Sequence, residues 1–167
     1  MNTSTILLIL LVSSMFLHGL SCTPAPSPDK LDELGLMELS IRGQAFRLWI
    51  ADEFAEHTNG LMQVSAERMA RLPDGTERGM IFVFDHPREL SFWMRNTIIP
   101  LDIAYLDSDG TVVKTYTMAA LDDRPGKYPS IQPAQFAIEV NAGVWSRIGL
   151  QSGDQIAIPA PLLKRRP

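Results

Sequence analysis

The sequence predicts a β-rich fold, mainly strand with short helices, folded as one compact single-domain barrel or sandwich. Three observations lead there. Short apolar runs recur with turn residues between them. No internal repeat divides the chain, and its 167 residues, 46% hydrophobic and 20% charged, suffice for one core and a leader.

From Ile6 to Leu17 the chain is almost wholly apolar, but a membrane span needs about 20 such residues and this run meets Ser13, Ser14, His18 and Gly19. It reads as the core of a signal peptide, with small residues at Gly19 and Ser21 suited to cleavage before Cys22. Cys22 is the single cysteine of the chain, so the leader resembles that of a bacterial lipoprotein in which Cys22 becomes the lipid anchor. Gly19 stands where such leaders prefer leucine, and Met1 to Thr5 carries no side-chain cation, which leaves ordinary cleavage as the alternative. Thr23 to Pro28 alternates proline and is expected to be an extended tether. The domain organisation is thus a leader over 1–22, a tether over 23–35, one globular domain over 36–159 and a tail over 160–167. With one cysteine, packing alone must hold the domain.

Within the domain, Leu39 to Ile50 is an early strand broken near Arg42-Gly43, and Asp52 to Thr58 is a short helix stopped by Asn59-Gly60. Leu72 to Thr76 is a turn. Met80 to Phe84 is apolar on both faces and reads as a central strand. Leu101 to Leu106 and Thr111 to Thr117 form a hairpin across Ser108-Asp109-Gly110. Asp122 to Pro133, with three prolines and a glycine, is an irregular loop. Ala134 to Val140 is a strand, Ala142 to Ile148 a helical turn ended by Gly149, and Gln155 to Ile158 a last strand.

The segment Ser91-Phe92-Trp93-Met94-Arg95-Asn96-Thr97-Ile98-Ile99-Pro100-Leu101-Asp102 concentrates aromatic and polar side chains too densely for a plain loop. If Pro100 folds the chain back, Arg95 and Asp102 meet beside Asn96 and Thr97 as a fork for an anion or a sugar hydroxyl. The bland alternative is a structural Arg95–Asp102 pair, with Asn96 and Thr97 bonding a turn. Trp93 is either a stacking platform for a sugar ring or core filling. Glu139 and Asn141 share a strand face. Glu139 either pairs with Arg95 or Arg78, or joins Asp102 as a catalytic carboxylate, which requires the two to open on one cleft about 5–9 Å apart.

Several classes are excluded or lose support. A formal charge of -4 argues against nucleic acid as a partner. His18, His57 and His86 have no metal-ligand spacing, and Asp107-x-Asp109-Gly110 lacks the oxygen run of a calcium loop, so no metal or cofactor is expected. No nucleophile elbow, phosphate loop or dinucleotide fingerprint occurs.

The Ser91–Asp102 segment resembles the signature of an exported bacterial and archaeal family known as domain of unknown function 192, which reads S-F-W-M-[KR]-N-T-x-x-P-L-D. Its other landmarks follow in order: Gly60-Leu61-Met62, Arg78 to Phe84, Asp109-Gly110, Glu139 to Gly143, Gly149 and Gly153-Asp154, spanning Leu36 to Ile158. Two departures stand out. Many members carry an arginine where this chain has Gln63-Val64, and many carry a cysteine pair in the loop that here runs from Leu121 to Tyr128, so neither feature is carried over. The resemblance implies no reaction.

The reading drawn from the sequence is an exported, lipid-anchored, non-catalytic envelope module. Its ligand residues are expected to be Trp93, Arg95, Asn96, Thr97, Asp102 and Asn141, and its partner a small polar ligand, an envelope polymer or an envelope protein. An enzyme acting on an envelope glycan through Asp102 and Glu139 is the alternative, and a purely structural domain is a third.

Overall fold

The computed structural model describes residues 28–163. The leader with Cys22, residues 23–27 of the tether and the last four residues lie outside the described residues. The chain forms a 3-10 turn (Pro28–Glu33), then β1 (Leu36–Ile41), β2 (Gln44–Ala51), α1 (Phe54–Asn59), β3 (Glu77–Arg88), β4 (Ser91–Phe92), β5 (Leu101–Leu106), β6 (Val112–Met118), β7 (Tyr128–Pro129), β8 (Ala134–Asn141), α2 (Val144–Ile148) and α3 (Ala160–Leu163).

Six strands make one mixed sheet in the order β1-β2-β3-β8-β5-β6, and β4 pairs with β7 in a small second sheet. The β-rich single-domain class expected from the sequence is the architecture found. The main sheet is open at β1 and β6, however, and does not close into a barrel. β2 and β3 are parallel, and the long connection between them carries α1 and the turns around Leu61–Met69 onto one face of the sheet. The other pairs are antiparallel.

Local chemistry explains most of this. Arg42 and Gly43 both have positive φ, 50° and 80°, the conformation that a tight β1–β2 hairpin demands. In β3, Met80 and Phe82 enter one core cluster while Ile81 and Val83 enter another on the opposite face, so the strand is apolar on both sides and central. Gly79 permits a close approach of β3 to β8, since a Cβ there would stand 2.2 Å from the carbonyl oxygen of Glu139.

Three sequence expectations shift. Gln155–Ile158 is no strand: only the bridge Thr111–Gln155 forms, because Gly153 and Ile156 donate backbone hydrogen bonds to Val112 and Gly110 around the hairpin end. The Asp122–Pro133 loop contains β7, whose Tyr128 pairs with Phe92. Packing also starts before residue 36, since Leu31, placed in the tether by the sequence, is buried in the core, and Leu162 of α3 is buried in the expected tail.

A buried carboxyl in a cleft: the candidate functional site

The register that pairs Asp102 with Val140 and Ile103 with Glu139 sends the Asp102 and Glu139 side chains to opposite faces of the sheet. Each is buried, 1% and 4% exposed, but their surroundings differ. Asp102 Oδ1 accepts the Thr117 hydroxyl at 2.7 Å, and Oδ2 accepts the backbone N–H of Trp145 at 3.0 Å. Trp145 lies in the first turn of α2, so Asp102 satisfies a helix N-terminus from the neighbouring strand. The paired-carboxylate catalyst expected as an alternative is therefore not assembled: the two acids open on no common cleft.

Glu139 has no hydrogen-bond or ion-pair partner among the described residues. Burial among Met80, Phe82 and Ile103 removes water from its charged form and pushes its carboxyl up to about 8. Near pH 7 it is mostly protonated, a group that both donates and accepts. The pairings with Arg95 or Arg78 considered from the sequence do not form; Arg78 Nη1 instead donates to the Arg68 carbonyl at 2.9 Å.

Glu139 lies on the wall of a narrow cavity of about 30 Å³. Gly60, Leu61 and Met62 line it from the turn after α1, His57 to Asn59 from α1, Phe82 from β3, and Phe92, Trp93 and Thr97 from the signature segment. Such a volume admits about two waters or a small polar group. His57, Thr58, Phe92 and Trp93 also line an adjoining shallow groove of about 290 Å³ that continues over Phe84, Arg88 and Leu90.

His57, absent from the sequence-based site, is held firmly. Its Nε2 stands 3.1 Å from the Ala51 carbonyl and 3.0 Å from that of Val83, and its ring packs 4.4 Å from the Phe84 ring. Two carbonyl acceptors at Nε2 assign a proton to that nitrogen. Phe92 meets Phe82 edge to face at 4.9 Å, which stiffens the cavity wall.

The signature residues divide into wall and scaffold. Trp93 is 41% exposed at the cavity mouth, with the Arg95 guanidinium 5.3 Å from its ring centre. Arg95 thus stacks on Trp93 and does not reach Asp102, so neither the anion fork nor the structural pair exists. Asn96 has φ 57° and gives its carbonyl to the Gln63 N–H at 2.9 Å, joining the signature to the turn on the opposite wall. Thr97 is buried, lines the cavity, and accepts the Leu121 N–H on its carbonyl at 2.9 Å. Asn141 donates from Nδ2 to the Met69 carbonyl at 2.7 Å and so holds the connection that covers the sheet. Of the residues singled out from the sequence, Trp93, Thr97 and Glu139 converge on one cavity. Asp102, Asn96 and Asn141 hold the frame.

A family model described as DUF192, Uncharacterized ACR, matches residues 37–158. The chain belongs to this family. A solved structure, a protein of unknown function from Novosphingobium aromaticivorans, is 31% identical with a TM-score of 0.66, covering 83% of this chain and 94% of its own. A putative transcription regulator from Sinorhizobium meliloti is 26% identical with a TM-score of 0.61, covering 73% of this chain and 90% of its own. No curated protein matches.

The DUF192 landmarks acquire a spatial meaning here: Gly60-Leu61-Met62, Phe82, Phe92-Trp93, Thr97 and Glu139 come from four separate motifs and surround one cavity. The loop that lacks the cysteine pair is tied by charge instead. Asp122 accepts Arg124 at 2.8 Å through each oxygen, Lys127, and the Tyr128 hydroxyl at 2.9 Å, and the Arg124 guanidinium, followed by Lys127, holds its carboxyl well below the usual range. The Asp122 carbonyl accepts the Met94 N–H at 2.8 Å, so this cluster braces the signature segment from behind.

Proposed function

We propose that the protein is a non-catalytic binding module of the cell envelope, exported by its leader and anchored through Cys22, whose site is the Glu139 cavity and the groove outside it. The observation that carries this reading is the buried, unpartnered carboxyl of Glu139 on the wall of an aromatic-walled opening. No described side chain or backbone group bonds this carboxyl, so a ligand hydroxyl or amide in the cavity supplies the partner that the protein does not. The ligand class is a small neutral polar molecule. Its hydroxyl or amide reaches the Glu139 carboxyl, which can donate and accept at once, while its apolar face lies on Phe92 and Trp93.

The test is a panel of neutral polyols, sugars and amides followed by amide-resonance shifts in the wild type, Glu139→Gln and Trp93→Ala. Saturable shifts at Gly60–Met62 and Thr97 that weaken at least tenfold in both variants support the reading. A panel that shifts nothing in this cavity, or shifts all three proteins alike, contradicts it. Anchoring is tested separately: the native protein should partition with bacterial membranes and Cys22→Ser should not.

A further inference from the structure

A second recess lies on the same face of the sheet as Glu139, at the β1–β2–β3 end. It holds about 160 Å³ and is lined by Asp32, Leu36, Arg47, Trp49, Arg68 and Arg78. Three of its six residues are arginines, in a chain whose formal charge is -4. The parallel register places Arg47 directly opposite Arg78, two like charges side by side on neighbouring strands, an arrangement that costs stability unless something negative lies between or near them.

The acids nearby neutralise only part of this charge. Arg47 Nη2 pairs with Glu38 at 2.8 Å on the exposed side of β1, and Arg68 pairs with Asp32 of the 3-10 turn. Arg78 has no carboxylate partner among the described residues. Its Nη1 donates to the Arg68 carbonyl at 2.9 Å, while the Nε atoms of both Arg68 and Arg78 are buried without a hydrogen-bond partner. The Arg68 guanidinium lies 5.8 Å from the Trp49 ring centre, which holds it across the recess. Leu36, 58% exposed, forms an apolar lip.

We propose that this recess is a binding site for a small organic anion, whose carboxylate or phosphate group is taken by Arg78 with Arg68 and Arg47, and whose apolar body lies against Trp49 and Leu36. Planar guanidinium forks match both oxyanions, and the residues supply the excess positive charge and the flat wall that such a ligand needs. Asp32 occupies the Arg68 guanidinium from the chain's own N-terminal side, so it competes with the ligand for Arg68. Its own carboxylate marks the chemistry that the site accepts. This site is independent of the Glu139 cavity, which takes a neutral ligand.

Phenyl phosphate and benzoate, with neutral benzamide as control, are the probes, titrated into the purified protein by calorimetry and amide-resonance shifts. Both anions should bind saturably and at least tenfold more tightly than benzamide, with shifts centred on the Trp49 indole and Arg78. Arg78→Gln should weaken the anions at least tenfold and Asp32→Asn should tighten them severalfold. Should Arg78→Gln fail to fold, Arg47→Gln, an exposed change, reads the same dependence with a smaller loss. Benzamide binding as well as the anions, affinities unchanged by the arginine variants, or no saturable binding of either anion would each overturn the proposal. If only one of the two anions binds, the oxyanion assignment stands and its geometry is decided between planar and tetrahedral.

Discussion

Asp102 and Glu139 sit on adjacent strands, one residue out of register, equally buried, and on opposite faces of the same sheet. One carboxylate is satisfied by a hydroxyl and a helix N–H; the other faces an opening with nothing to bond. Burial alone therefore does not separate scaffold from site. Satisfaction does: a fully bonded buried acid specifies the fold, whereas an unbonded one is retained at a cost in stability and becomes the first place to look for a ligand.

The contrast depends on how β8 is seated, so the greatest loss is expected from Gly79→Ala. Its Cβ would collide with the Glu139 carbonyl at 2.2 Å and force β3 and β8 apart, costing about 3 kcal/mol or more by chemical denaturation. Asp102→Ala should come next, at about 2–3 kcal/mol, because it leaves the Trp145 N–H buried and unbonded.

Glu139→Gln should behave differently. The folded carboxyl holds its proton up to about 8 against an ordinary value of 4.5. Its contribution is fully present below about 4.5 and is lost as pH rises through about 8. Relative to Glu139→Gln, the wild type should lose stability on the order of a few kcal/mol across that window, and the two curves should be parallel below it. Trp93→Ala should cost least, about 1 kcal/mol, since the ring is 41% exposed and lies on the cavity rim, while lowering ligand affinity much more.

Much of the frame was legible in the sequence because it is written in local periods. The break at Arg42-Gly43, which the structure turns into the β1–β2 hairpin, the apolar run of β3, the β5–β6 hairpin and the α2 turn ended by Gly149 all follow from alternation and turn chemistry. The site was legible only in part. Trp93 and Thr97 were found through the density of the signature and Glu139 through its motif, but the Arg95–Asp102 fork was not realised. Alternation sends Asp102 into the core beside Ala104 and Leu106, where a helix N-terminus from a distant segment meets it, and no local pattern announces that encounter. His57 was missed for the same reason: its place depends on carbonyls of β2 and β3 that approach only in the folded sheet. The arginine recess likewise arises from cross-strand register between Arg47 and Arg78, which are 31 residues apart in the chain.

A carbon-detected NMR titration of the Glu139 side-chain carboxyl decides whether this acid is the unpartnered group on which the functional reading rests. The expected result is a midpoint near 8, shifted when a ligand occupies the cavity. A midpoint at or below the ordinary 4.5 would show the group solvated or partnered, and would remove the distinction drawn between Glu139 and Asp102.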